Sequence, residues 1–277
     1  MNLDHEKIDQ LAEELLKAEE QGETIKPFSE RFSMFTTKDG YAIQRSITEL
    51  KLAEGHRIVG KKIGFTSEKL RQQFNVDEPD YGIITHKAVM MEQEPLVMSE
   101  LISPKIEAEI AFILKDDLNK PDVTVADVIG ATAGIMPSLE IVDSRFEDWR
   151  VTVADTIADN AANARIILGG VMRPLEAYDL RYIGLTIFQN GELIDSATGS
   201  AVSGNPVHAV VWLANKLYEL GYPLKKGEIV MSGSFTPVHN LRVGDDVRAV
   251  FDRLGEVSVV CKGMQIAYGS TVHRGLS

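Results

Sequence analysis

Apolar residues near the start of the chain recur at helical spacing. Ile8, Leu11, Leu15 and Leu16 share one side of a 3.6-residue spiral, while Glu13, Glu14, Lys17 and Glu19 fall largely elsewhere. This predicts an amphipathic opening helix. A second helix is expected over residues 41–54, where Ile43, Ile47 and Leu50 recur and Gly55 provides a stop. Residues 21–40 between them read as loop. After Gly60 the pattern changes to short β-rich runs punctuated by glycine, as at 106–114, 183–189 and 247–251. Asn190-Gly191 signals a tight turn between two of these strands. Two helices are expected inside the β region. One starts at Val125 behind Thr124, a cap with Asp127 three residues on; the other spans 206–220, with Pro206 suited to a first turn. The chain reads as α+β, with a helical N-terminal segment (1–60) and a strand-rich body (61–277) forming one functional unit.

Charge and composition narrow the class. There are 29 Lys and Arg against 41 Asp and Glu, a formal charge of −12, and no dense basic run. That excludes nucleic acid and anionic membrane surfaces as partners. With 44% apolar residues the chain can bury a full core, which excludes disorder. The longest uncharged stretch, 196–215, has the length of a membrane span but contains Ser196, Thr198, Ser200, Ser203, Asn205 and Pro206. It is not expected to cross a bilayer. The N-terminus lacks the basic start and apolar run of a secretory signal, and the single cysteine, Cys261, cannot form an internal disulfide. Both features point to the cytoplasm.

Candidate chemistry begins with Lys105-Ile106-Glu107-Ala108-Glu109-Ile110. On a strand, Glu107 and Glu109 point to one face. Their mutual repulsion is costly unless a cation or proton intervenes, although a solvated alternating strand would show the same pattern. Glu140 lies in the apolar run Leu139-Glu140-Ile141-Val142, where a charge needs a partner; Arg145 is one candidate. Three converging carboxylates would suit a hard cation such as Mg²⁺ or Mn²⁺ better than zinc. In Gly60-Lys61-Lys62-Ile63-Gly64, the two lysines face opposite ways, so one can point inward while the other is solvated. Asp80 lies in a turn-like Glu78-Pro79-Asp80-Tyr81-Gly82, and Asp159-Asn160 could be a helix cap. Ser232-Gly233-Ser234 offers hydroxyls on a glycine-permitted loop, for ligand binding or for turn chemistry alone.

These segments, together with Asp143-Ser144-Arg145 and Trp212-Leu213-Ala214-Asn215, follow one another in an order that resembles the 2-keto-4-pentenoate hydratase and 4-oxalocrotonate decarboxylase family, within the fumarylacetoacetase-like superfamily. The likeness covers about residues 11–259. It implies a fumarylacetoacetase-like mixed β-roll, a divalent metal (Mg²⁺ or Mn²⁺) held by Glu107, Glu109 and Glu140, and a homo-oligomer able to associate with a pathway decarboxylase. Within the family, an acid in the Pro-Asp-Tyr-Gly segment is typical of hydratases, so Asp80 favours that branch, as does Ser234 where decarboxylases carry a glycine-rich loop. The implied substrate is a small 2-hydroxy-dienoate or 2-oxo acid. Lys62 is then expected to transfer protons or bind the substrate carboxylate, Asp80 to handle water, and Ser234 and Asn160 to orient substrate. Decarboxylation, acylpyruvate hydrolysis and a non-catalytic binding role are the alternatives. Glu256 departs from the family, whose members usually carry Ser there, and residues 262–277 have no functional reading.

Overall fold

The computed structural model describes residues 3–74 and 76–264; most of the tail 262–277 lies outside them. The elements in chain order begin with helices α1 (His5–Gln21), α2 (Phe28–Arg31) and α3 (Thr37–Ala53), then β1 (Ile58–Gly64) and α4 (Glu68–Phe74). Next come β2 (Asp80–Thr85), β3 (Val89–Met91), β4 (Leu96–Val97), β5 (Lys105–Leu114), α5 (Val125–Ala131) and β6 (Thr132–Val142). Then follow α6 (Val153–Ala158), β7 (Asn163–Leu168), β8 (Gly184–Gln189), β9 (Glu192–Thr198) and α7 (Pro206–Glu219). The last strands are β10 (Ile229–Met231), β11 (His239–Asn240), β12 (Asp246–Phe251) and β13 (Gly255–Lys262).

Local chemistry accounts for most boundaries. Asp4 caps α1 by accepting from the Lys7 N–H, and Gly22 closes it in the left-handed conformation. Thr36, Thr124 and Thr152 each form a capping box with an Asp three residues on, starting α3, α5 and α6. Asn190 and Gly191, both at positive φ, make the turn between β8 and β9. Three sequence expectations need correction. Residues 21–40 hold α2 and the first turn of α3, because Thr36 caps the latter four residues earlier than its apolar period suggests. Short α4 and α6 also lie in the β region; neither is long enough to show a periodic face. Asp80 opens a strand rather than supporting a turn.

Eight strands form one mixed sheet in the order β2-β1-β10-β5-β6-β7-β3, with β11 pairing to β5; five form a second, β4-β13-β12-β8-β9. The sheets pack through a shared core. Ile106, Ala108, Ile110 and Phe112 of β5 enter it beside Val247 and Ala249 of β12 and Val257 and Val259 of β13. By the two-residue alternation of strands, Glu107 and Glu109 must occupy the other face of the large sheet. That face is covered in part by a smaller apolar group, Ile84, Ala111, Ile166 and Met231. The N-terminal helices have their own cluster around Phe28, which also takes in Phe146 and Ala158 from the body.

Phe28 sits edge-on to Phe35 and Phe146, with ring centroids 5.6 and 5.1 Å away, and is fully buried. Its substitution in Phe28→Ala is expected to cost about 3–5 kcal/mol, read as a lower urea midpoint at unchanged slope.

Candidate metal and acid–base site

The strand register brings the chemical groups together. β5 and β6 pair with Glu107 opposite Glu140 and Glu109 opposite Ser138, so three carboxylates crowd one face across two strands. One ligand oxygen from each of Glu107, Glu109 and Glu140 lies within 4.8 Å of the others. Two strands away, Lys62 is in register with Met231 of β10, which in turn is opposite Ala111 of β5. Lys62 therefore shares the carboxylate face. On its other side β2 places Gly82 opposite Lys62 and Asp80 opposite Gly64. Gly82 is sterically required, since a Cβ there would meet the Asn160 carbonyl at 2.5 Å, and a Cβ on Gly64 would displace the Asp80 carboxylate, whose Oδ1 it would meet at 2.1 Å.

Only part of this polar cluster is satisfied by protein. Glu109 Oε2 accepts from the Gly233 N–H at 2.8 Å, and Glu140 Oε1 accepts from Asn163 Nδ2 at 2.8 Å. Glu109 Oε1, Glu140 Oε2, the Ser232 hydroxyl and both oxygens of Asp80 are buried without a hydrogen-bond partner. Lys62 Nζ donates to the Ala161 carbonyl at 2.9 Å and lies 3.4 Å from Glu140 Oε2. Four carboxylates thus face one ammonium. Burial, followed by Glu140, pushes Glu107 up to about 7 against the pull of Lys62, and burial above all drives Glu109 well above the usual carboxylate range. Asp80 is likewise raised to about 6, chiefly by burial, with Lys62 opposing. For Lys62 the balance reverses. Burial works against its ammonium, but Glu140, Asp80, Glu107 and Glu109 outweigh burial and raise its pKa.

An excess of buried negative charge with orphaned oxygens is what a divalent cation would neutralise, and an all-oxygen donor set fits a hard ion. The residues present fit a metal.

Several residues stand differently from their sequence reading. Lys61 is not solvated: it is buried on the opposite sheet face, ion-paired with Glu228. Arg145 does not pair with Glu140 but is buried against Asp159, where burial lifts the carboxyl to about 6 despite the guanidinium. Glu140 has Lys62 and Asn163 instead. The Asn160 amide is engaged by the backbone of β2, accepting from the Ile83 N–H and donating to its carbonyl. Ser234 Oγ donates to the Thr236 carbonyl at 2.7 Å. The Asn163 amide and the Gly233 N–H also reach this face, and neither a single Asn nor a backbone N–H carries a spacing signal in the sequence. None of the described helices is long and apolar enough to cross a membrane.

No family model matches the chain. Individual proteins do. It is 37% identical over 254 residues to a 2-keto-4-pentenoate hydratase from Paraburkholderia phymatum, covering 92% of this chain and 97% of that protein. It is 38% identical to a 2-hydroxyhexa-2,4-dienoate hydratase from Comamonas testosteroni, covering 92% and 98%. Among solved structures, 4-oxalocrotonate decarboxylase from Pseudomonas putida, complexed with magnesium and adipate, superposes with a TM-score of 0.90 at 35% identity, over 95% of this chain and 99% of that one. Fumarylpyruvate hydrolase from Pseudomonas aeruginosa, at 15% identity and TM-score 0.58 over 74% of this chain and 90% of that one, shares the fold alone. With more than a third of its residues shared over nearly the whole length of these relatives, the chain belongs to the 2-keto-4-pentenoate hydratase family and has its fumarylacetoacetase-like fold.

Proposed function

We propose that the protein is a divalent-metal-dependent hydro-lyase acting on 2-hydroxy-2,4-dienoates, converting 2-hydroxypenta-2,4-dienoate to 4-hydroxy-2-oxopentanoate in the breakdown of aromatic ring-cleavage products. The hydratase names of its relatives support the substrate class. The observation that carries the reading is a separate buried carboxylate, Asp80, without a side-chain hydrogen bond and on the same sheet face as an all-oxygen triad.

Glu107, Glu109 and Glu140 would hold Mg²⁺ or Mn²⁺. When bound, the ion supplies Lewis-acid stabilisation of negative charge on the substrate's 2-oxygen. Lys62 stays an ammonium in this field, so it serves as a fixed positive donor toward the substrate carboxylate rather than as a base. Ketonisation moves a proton from the 2-hydroxyl to C5; hydration then places hydroxyl on C4 and a proton on C3. Asp80 is the proton carrier. Ionised, it accepts a proton from the water that attacks C4; protonated, it returns one to C3. Ser234 is half-buried beside unpartnered Ser232 and would orient substrate from that loop. Asn160 serves by holding the segment that presents its neighbour's carbonyl to Lys62.

The likeness to 4-oxalocrotonate decarboxylase makes loss of CO₂ from 2-oxo-3-hexenedioate the competing reaction on the same face. The two separate at Asp80, since both pass through a stabilised enolate that takes up a proton, but only hydration needs a base for the water that attacks C4. Metal-reconstituted protein is expected to consume the dienoate, followed by ultraviolet absorbance, without releasing CO₂. Release of CO₂ with no dienoate loss would assign it to the decarboxylase branch. Silence in both assays with metal bound would make it a binding protein.

Asp80→Asn is expected to lower kcat by about 10²–10⁴-fold while Mn²⁺ affinity, measured by calorimetry, stays near that of the parent. Glu140→Gln should behave oppositely. It removes a charged oxygen from the triad, so Mn²⁺ binding itself should be lost, and dienoate turnover with it.

A further inference from the structure

Asn163 is buried at the first position of β7 and donates to Glu140 Oε1, yet the chemistry above gives it no part. Two irregularities of the backbone put it there. The first is a run of three non-glycine residues, Asn160, Ala161 and Ala162, at φ of 54°, 52° and 57°. Residues in this left-handed region are strained and persist only when their surroundings over-determine them. Here the Asn160 amide grips Ile83, and the Ala162 carbonyl accepts from the Asp143 N–H. The second is a shift of register between β6 and β7. Ile141 pairs with Arg165 but Val142 pairs with Asn163, leaving Ala164 as an extra residue. In an unbroken ladder Val142 would oppose Ala164, and Asn163 would point to the far face. The bulge turns Asn163 onto the face that carries Glu140.

We propose that Asn163 is a positioning residue for Glu140. Its amide fixes Oε1, which leaves Oε2, 3.4 Å from Lys62 Nζ and without a hydrogen bond, as the oxygen available to a cation. Glu109 is held in the same manner, with Oε2 taken by the Gly233 N–H and Oε1 left free. Each of these two glutamates therefore offers one oxygen, and the site takes its ion through single oxygens aimed by neutral donors. The inference rests on reading Glu107, Glu109 and Glu140 as a cation site. Asn163 also lines a cleft of about 580 Å³, shared with Glu19, Lys51 and Arg165, so shortening it opens onto that cleft rather than leaving a sealed void.

The test is Mn²⁺ titration calorimetry on the parent, Glu140→Gln, Asn163→Ala and Asn163→Leu, with urea midpoints measured in parallel. Leu approximates the bulk of Asn without its donor. Both Asn163 variants are expected to bind Mn²⁺ about 10–100-fold more weakly while remaining folded. If Asn163→Ala does not fold, Asn163→Leu alone gives the reading. Affinities within twofold of the parent in both would overturn the proposal, as would a deficit confined to Asn163→Ala, which would mean that bulk and not the amide matters. Absence of Mn²⁺ binding by the parent would instead defeat the cation site itself, and a parent that binds while Glu140→Gln does not keeps the two failures apart.

Discussion

The constraint on which this architecture turns is the confrontation of Glu107 and Glu140 across the β5–β6 ladder, with Glu109 two residues along the same face. Like charges opposite one another destabilise a sheet, and burial multiplies the cost because the solvent that would screen them is gone. The two strands are nonetheless among the best anchored in the protein. Their alternate residues fill the core between the two sheets, which fixes the register, and a slip by one residue would send three carboxylates into that core. The apolar face thus holds the acidic face in place. Glu107 and Glu109 respond with raised pKa values, the behaviour of groups that lack the positive charge they need.

Around this pair the fold gives up local regularity to aim polar atoms. Glycines replace side chains where Asp80 and Lys62 need room, and three left-handed residues turn the Ala161 carbonyl toward Lys62. A bulge swings Asn163 toward Glu140. Each departure costs stability, and all lie on the carboxylate face or on the segment that borders it. The opposite face of β1 shows the contrast, because Lys61 there has a dedicated partner in Glu228. Adjacent lysines on one strand are therefore resolved into a closed structural pair and an open cluster.

How much of this could be read from the chain depended on periodicity. Glu107 and Glu109 announce a shared face through their spacing alone, and Thr124 and Pro206 mark helix starts because their signals are local. The convergence of Glu140, Lys62 and Asp80 with them rests on strand order, which brings residues as much as 78 apart into contact and leaves no trace in spacing; only likeness to a family supplied it. Arg145 illustrates the failure. Sequence proximity to Glu140 suggested a pair, but successive residues beyond β6 leave the sheet, and Asp159 at the end of α6 meets the guanidinium instead. Asn163 was silent because its role arises from an inserted residue in a ladder, which no single-chain pattern reveals.

Asp80 bears on the choice between hydration and decarboxylation for a physical reason. A carboxylate recruited only to balance Lys62 would be placed to hydrogen-bond it and would have an ordinary or lowered pKa. Asp80 instead begins an edge strand, is wholly buried, has no side-chain hydrogen bond, and is raised to about 6, chiefly by burial. Lys62 directs one N–H to the Ala161 carbonyl and has its nearest charge contact in Glu140. A fold that only bound a cation and stabilised an enolate would gain by replacing Asp80 with an apolar residue of similar volume, since an unpaired buried carboxyl is among the most expensive groups to keep. On the proposed reading, Asp80 takes the proton of the attacking water, a base that hydration needs and carbon dioxide loss does not.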